Sequence, residues 1–252
     1  MTTNAKKVAL VTGAGSGVGR GVSLGLQGAG FSVVLTGRRK EELEKTAAMA
    51  DSSGPQMLVV PADVTKPGQV KALFAKTRET FGRLDVLFNN AGKNARTAFE
   101  DVTYEEWRSI LDVNLTGAFL CAQEAYRMMM TQEPRGGRII NNASTAIHAP
   151  RPNGAPYGAS KSGVLGLTKS ISIDGRKHNI ACSQIDLGNV ATELSFQLTL
   201  GVLQPDGSVR PEPRMEIKHA VDAVVWMASL PLEVNCQYIT LMPTAMPLIA
   251  RG

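Results

Sequence analysis

The sequence predicts an α/β chain built as a doubly wound parallel sheet of about seven strands, with helices on both faces, as a single domain over residues 1–252. Three observations predict it. Short apolar runs without alternation, such as residues 8–11 and 84–88, suit central strands covered on both faces. Stretches with helical spacing follow such runs, the alternation that builds a parallel sheet. The polar groups able to do chemistry fall just after strand ends, where an open α/β sheet places its crevice.

The first strand, 8–11, leads into Thr12-Gly13-Ala14-Gly15-Ser16-Gly17-Val18-Gly19 and a helix over 20–29. A glycine-rich turn between strand and helix lets backbone N–H groups and the helix N-terminus approach a pyrophosphate. The alternative is a flexible turn that binds nothing, and the spacing Gly13, Gly17, Gly19 departs from the general G-x-G-x-x-G fingerprint. The second strand, 31–36, ends in Gly37-Arg38-Arg39, where dinucleotide folds carry either an acid for the ribose hydroxyls or an arginine for a 2′-phosphate. The acid is missing, which favours NADP(H) over NAD(H), unless both arginines are solvated residues opening the helix 40–50. A third strand, 57–60, precedes Asp63, which either accepts from an adenine amino group or serves as a turn and cap residue.

Val70, Leu73, Phe74, Thr77 and Phe81 mark one face of the next helix. The fourth strand, 84–88, closes with Asn89-Asn90-Ala91-Gly92, small enough for a ligand to lie against the backbone. Thr103 and Glu106 have the form of a capping box and open one long helix through Trp107, Ile110, Leu111, Leu115 and Phe119. Asn114, inside that run, is either a satisfied structural amide or part of a proton path. Residues 128–130, three methionines, suit the core or a subunit interface.

A fifth strand, 138–142, delivers Ser144. Thirteen residues later stands Tyr157, followed at i+4 by Lys161, a spacing that puts both on one helix face. A free tyrosine, with a pKa of about 10, carries protons poorly at neutral pH, and a nearby cation favours the phenolate. Taken alone, such a pair is also the ordinary content of a solvated face. The sixth strand, 180–185, ends in Asp186-Leu187-Gly188-Asn189-Val190-Ala191-Thr192. Prolines 205, 211 and 213 with glycines 201 and 207 give 193–217 the composition of a loop with short helical pieces, a place for a lid; the substrate loop spans about 189–217. A helix over 219–229 and a strand over 237–241 complete the chain.

Composition narrows the function. The net charge of +5 is scattered, apart from short groups at 38–40 and 135–138, so it makes no nucleic-acid footprint. Cys121, Cys182 and Cys236 lie far apart without metal-ligand spacing, which points to a reducing compartment, buried thiols and no metal. The start, M-T-T-N-A-K-K, lacks a signal peptide's apolar core, and no apolar run is of membrane-spanning length. A cytoplasmic location without membrane partners is therefore expected.

Together, T-G-x-x-x-G-x-G at 12–19, N-N-A-G at 89–92, Asn114, Ser144 and Y-x-x-x-K at 157–161 resemble the short-chain dehydrogenase/reductase family over nearly the whole chain. The resemblance implies a Rossmann fold and hydride transfer between a nicotinamide cofactor and a carbonyl or alcohol substrate. Tyr157 is then the general acid in reduction and the base in oxidation, and Ser144 orients the substrate oxygen. Lys161 lowers the tyrosine pKa and binds the nicotinamide ribose, while Asn114 holds a water in the proton relay. The cofactor contacts implied are Gly13, Gly15, Ser16, Gly17, Val18 and Gly19, then Arg38, Arg39, Asp63 and Val64. Asn90, Ala91, Gly92, Tyr157, Lys161, Gly188, Val190 and Thr192 complete them. The family's P-G-x-x-x-T reads L-G-N-V-A-T here, with Leu187 for the proline. Its NADP-preferring members often have a basic residue where this chain has Ser16, so the 2′-phosphate rests mainly on Arg38, helped by Arg39 or Ser16. The tail M-P-T-A-M-P-L-I-A-R-G also departs from the family's G-G-containing end. A homo-oligomer, dimer or tetramer, is implied, with the long helices before Ser144 and after Tyr157 as its interface.

Another class stays open: a non-catalytic NADP(H)-binding sensor or assembly module on the same fold. An epimerase or dehydratase is a third reading, disfavoured by the short C-terminal part. Lys93, Arg96, Thr145, His148, Arg151 and Asn189 either line a substrate pocket suited to an acidic or phosphorylated carbonyl compound or are exposed loop residues.

Overall fold

The computed structural model describes residues 7–248. The expectation read from the start M-T-T-N-A-K-K falls mostly on residues 1–6, which, with residues 249–252 of the tail, lie outside the described residues. Strands and helices alternate through the first half as β1 (Val8–Thr12), α1 (Gly17–Gly28), β2 (Ser32–Thr36), α2 (Lys40–Ala48), β3 (Met57–Val59), α3 (Pro67–Phe81) and β4 (Val86–Asn89). The second half runs α4 (Tyr104–Leu111), α5 (Gly117–Thr131), β5 (Gly137–Asn142), α6 (Ala155–Gly175), β6 (Ile180–Leu187), β7 (Val202–Leu203), β8 (Val209–Arg210), α7 (Ile217–Ser229) and β9 (Tyr238–Leu241).

Seven strands form one parallel sheet in the order β3-β2-β1-β4-β5-β6-β9. Its winding reverses between β1 and β4, which opens a crevice at their carboxyl ends. Every residue of β1 is buried, as its unbroken apolar run requires. Period-2 alternation sends Ala9 and Val11 into a core with Val22 and Leu26 of α1 and Val224 and Met227 of α7. Val8 and Leu10 enter the opposite core with Leu73, Phe74, Met128 and Met129. The methionine pair is therefore core. Cys121 and Cys182 are buried free thiols, whereas Cys236 is half-buried.

Several expectations need correction. The single helix read through Asn114 is two helices joined by a π-helical turn, Asp112–Thr116, in which Gly117 N–H bonds back to the Asp112 carbonyl. The additional residue in that turn rotates the following face, and Phe119 is exposed rather than in the buried stripe. Half of the capping box forms: Thr103 Oγ1 accepts from Glu106 N at 3.1 Å, but the Glu106 carboxylate turns to the Thr97 hydroxyl at 2.7 Å.

The sixth strand runs past residue 185, because Asp186 and Leu187 pair with Thr240 and Leu241 of β9. The segment 193–217 is more ordered than its composition suggests. It contains a 3₁₀ helix, Glu193–Thr199, and the β7–β8 hairpin, whose turn is closed by Gly207 N–H on the Gln204 carbonyl at 3.0 Å. Its base is tied back where Met215 N–H bonds the Asn189 carbonyl and Ala191 N–H bonds the Met215 carbonyl, both at 2.8 Å.

Candidate active site

The strand ends build the floor of the crevice. Thr12 Oγ1 accepts from both Asn90 N and Ala91 N, at 2.8 and 2.9 Å, and Asn90 Nδ2 returns a bond to the Thr12 carbonyl at 2.9 Å. Asn90 Oδ1 in turn accepts from Asn142 Nδ2 at 2.9 Å, which locks β1, β4 and β5 together at one level. Gly13 has φ +68°, a left-handed turn that favours glycine. A Cβ on Gly19 would lie 2.2 Å from the Gly13 carbonyl oxygen, so the entry of α1 closes on this turn only without a side chain.

Above that floor lies a cleft of about 710 Å³. Its nucleotide end is lined by the turn from Gly13 to Gly19, then Arg38, Arg39, Asp63 and Val64, and its centre by Asn90, Ala91 and Gly92. Ser144, Tyr157, Lys161, Gly188, Val190 and Thr192 line the other end. Of the residues assigned a catalytic or cofactor role by motif, Asn114 alone is not in this lining. Its amide is committed instead: Nδ2 donates to the Lys93 carbonyl and to Ser160 Oγ, both at 3.0 Å, and Oδ1 accepts from Lys93 N at 2.8 Å. The π turn thereby fixes the backbone just after Gly92.

Tyr157 stands in the first turn of α6 and Lys161 one turn on, as the spacing predicts. Ser144 starts a short 3₁₀ turn, its Oγ accepting from Ala146 N at 3.1 Å. That leaves its hydroxyl proton free to serve Tyr157 or a ligand, and both residues line the cleft. Burial pushes the Tyr157 phenol pKa up; the Ser144 hydroxyl and the Arg151 charge pull the other way without cancelling it. The lowering expected from Lys161 is not found in this geometry: burial outweighs the pull of Ser144 and Arg151. Lys161 Nζ lies over the ring, 5.7 Å from its centre, and donates to the Asn142 carbonyl at 2.7 Å. Burial draws the Lys161 pKa down to about 8, against an upward pull from Asp186.

At the nucleotide end both arginines are exposed, with Arg39 Nη2 donating to Ser16 Oγ at 3.4 Å. Asp63 makes a turn contact, Oδ1 accepting from Thr65 N and Thr65 Oγ1 at 3.0 and 2.8 Å. Burial alone would raise that carboxyl; the Thr65 bonds and the Arg38 and Lys66 charges hold it below its usual range. Thr192 caps the 3₁₀ helix that follows it, in a reciprocal box with Ser195. Leu187 replaces the expected proline without breaking the sheet, for Gly188 N–H bonds the Leu241 carbonyl at 2.8 Å.

Among the substrate-end residues, Lys93, Arg96, Thr145, Arg151 and Asn189 line the cleft, and His148 does not. Sequence motifs gave no sign of Glu212, which is buried and joins this wall. Its carboxylate pairs with Arg151 and accepts from Asn189 Nδ2 at 2.8 Å and Gln204 Nε2 at 3.2 Å. Burial raises Glu212, but Asn189, Arg151 and Gln204 more than offset this and keep its pKa below the ordinary value. Arg151 Nη2 also donates to Asn189 Oδ1 at 2.7 Å, so the cleft wall and the 193–217 segment share one buried network.

A parallel sheet that reverses beside a glycine turn, with a serine, tyrosine and lysine converging across the cleft, defines the class: a nucleotide-binding α/β protein of oxidoreductase type. The chain belongs to the short chain dehydrogenase family, whose family model matches residues 7–201. A 3β-hydroxysteroid dehydrogenase of Mediterraneibacter gnavus is 37% identical over 191 residues, covering 75% of this chain and 68% of that protein. A short-chain type dehydrogenase/reductase structure from Mycobacterium marinum superposes with a TM-score of 0.85 at 29% identity, covering 94% of each chain. A metagenomic short-chain oxidoreductase solved in complex with NADP gives 0.80 at 27% identity, over 95% of this chain and 98% of that one. Such a family acts on small-molecule substrates, and no helix among the described residues is long and apolar enough to cross a membrane.

Proposed function

We propose that this chain is an NADP(H)-dependent carbonyl reductase or alcohol dehydrogenase with Tyr157 as general acid and base. The observation that carries the reading is the convergence of Ser144, Tyr157 and buried Lys161 at one end of a cleft whose other end is the glycine turn. The residues present fit a dinucleotide. Gly13 and Gly19 let the backbone close tightly, and Ser16 makes no side-chain cap on α1, so the first-turn N–H groups remain for a pyrophosphate. Arg38 and Arg39 supply cations where a 2′-phosphate would be held, and the NADP-bound relative supports that preference.

When bound, the nicotinamide supplies or accepts the hydride. In reduction, the Tyr157 hydroxyl gives its proton to the carbonyl oxygen; in oxidation, the phenolate takes it from the alcohol. Ser144 donates to the same oxygen and fixes its position. Lys161, a buried cation beside the ring, holds the ribose end of the cofactor with its ammonium. Asn114 keeps the backbone after Gly92 in register, and a relay water would be held beyond its committed amide. Segment 189–217 forms the substrate loop within the single domain. We further propose a cytoplasmic location and a homo-oligomer, the latter supported by Phe119 of α5 and Ile173 of α6, both exposed large apolar side chains.

The test is NADPH and NADH oxidation by the purified protein across ketones, aldehydes, diketones, quinones and keto acids. Turnover with NADPH preferred supports the proposal. Tight NADPH binding with no turnover on any of these would move the chain to the sensor or assembly reading.

A further inference from the structure

Lys161 carries its charge into a buried site, yet its hydrogen-bond acceptor, the Asn142 carbonyl, is neutral. An ammonium removed from water without an opposing charge gives up its proton rather than stay ionised. A carboxylate is present on the same side of the sheet. Asp186 is 2% exposed near the end of β6, and period-2 alternation puts it on the face shared with Gln184. Gln184 Oε1 accepts from Thr168 of α6 at 3.2 Å, so that face packs against the helix bearing Lys161.

Both oxygens of Asp186 are held. Oδ1 accepts from Gln184 Nε2 at 2.8 Å, and Oδ2 meets His148 Nε2 at 3.1 Å. The His148 side chain remains 50% exposed while that of Asp186 is 3% exposed. One imidazole thus covers the outer edge of a buried carboxylate. Neither residue lines the cleft, so neither is positioned to touch substrate or cofactor.

We propose that Asp186, oriented by Gln184 and His148, is the buried counter-charge of Lys161 and acts as a positioning residue that keeps this ammonium charged. The proposal rests on the reaction described above, in which a charged Lys161 is required. The electrostatics agree with the placement: Asp186 opposes the fall that burial imposes on Lys161, and Lys161 and His148 oppose the rise that burial imposes on Asp186. Among the described residues, the titratable groups that face Lys161 are Tyr157 on its own helix and Asp186 from β6. The other groups around it are neutral: Asn142 of β5 and, across Gly92, the amide of Asn114. Asp186 faces Gln184, His148 and Lys161, with Thr240 of β9 beside it in register.

The experiment follows the Lys161 side chain directly, by NMR of ¹³Cε-labelled lysine in the full chain, with Lys161→Arg used to assign the resonance. Asp186→Asn keeps the shape and removes the charge. The expected result is a Lys161 titration shifted below the native value of about 8 by about one pH unit or more. Removing a carboxylate also makes the alkaline limb of kcat/KM for carbonyl reduction move to lower pH, with roughly tenfold lost at pH 8 and less than about threefold at pH 6. His148→Ala, at a half-exposed site, should move both in the same direction by less. An unshifted Lys161 titration in Asp186→Asn overturns the proposal; if that variant does not fold, an unshifted titration in His148→Ala does so. The titration needs no substrate, so a protein without turnover whose Lys161 still shifted would support the charge pair while contradicting the reaction.

Discussion

The Lys161 ammonium lies over the Tyr157 ring, 5.7 Å from its centre, instead of bonding the phenol oxygen. Burial holds the phenol pKa above its ordinary value, although the Ser144 hydroxyl pulls it down. Tyr157 is thus set as a protonated donor, the form that carbonyl reduction needs. Alcohol oxidation requires the phenolate and should begin at higher pH.

Ser144→Ala removes one of the two groups that favour the phenolate. Carbonyl reduction should fall by about 10²-fold in kcat/KM, the usual cost of losing one oxyanion donor. Because the lost hydroxyl lowers the Tyr157 pKa, that pKa rises further, and the onset of alcohol oxidation should move to higher pH. Paired pH profiles in both directions check this; an unmoved oxidation limb would remove Ser144 from control of the phenol.

Arg38→Asp should weaken NADPH by about 10-fold or more, since a charge-assisted contact to a phosphate is lost and replaced by repulsion. NADH affinity should change by less than about threefold. Arg39→Ala should have a smaller effect of the same kind, because Arg39 is already engaged with Ser16. Fluorescence titration of both cofactors measures the ratio, and an unchanged ratio in Arg38→Asp would exclude it from the phosphate site.

Gly19→Ala places a methyl 2.2 Å from the Gly13 carbonyl oxygen and 2.7 Å from Asn90 Nδ2. The turn or α1 must shift, at a cost of about 1–3 kcal/mol by analogy with other overpacked sites. Cofactor affinity should fall together with stability. Urea unfolding and NADPH titration of the same preparation test this, and a variant as stable as the parent would contradict the close approach.

Lys161 has a folded-state pKa of about 8, below its unfolded value, so the sign is that of a buried base. Its ionisation disfavours the fold below about pH 8, and the penalty is relieved as pH rises toward the ordinary lysine range, where the unfolded chain still binds the extra proton. Relative to Lys161→Met, the parent should therefore gain about 1–3 kcal/mol between pH 7 and 10. Denaturant unfolding at the two pH values gives that difference directly, and a difference independent of pH would show that Lys161 is not perturbed.

The local part of this architecture is legible in the residue pattern. Gly13, Gly17 and Gly19 punctuate a strand and a helix within one short window, and Tyr157 and Lys161 announce a shared helix face by spacing alone. Asp186 and Glu212 are not legible in that way. Each is a buried carboxylate whose partners, His148 for one and Arg151 with Asn189 for the other, come from distant segments brought together by the sheet. The π turn at Asn114 is invisible to a 3.6-residue period, because it inserts one residue without changing composition. The β7–β8 hairpin did carry a signal, Pro205-Asp206-Gly207, and Asp206 Oδ1 indeed accepts from Ser208 N at 2.9 Å. Strands of two residues are too short to show alternation beside it.

The most direct measurement compares Tyr157→Phe with the parent protein for NADPH affinity and for turnover on whichever carbonyl compound the parent reduces. Affinity should stay within about threefold and turnover should fall by at least about 10³-fold, since the proton donor is gone while the dinucleotide cleft is intact. Full turnover in Tyr157→Phe would contradict this and move the proton to another group.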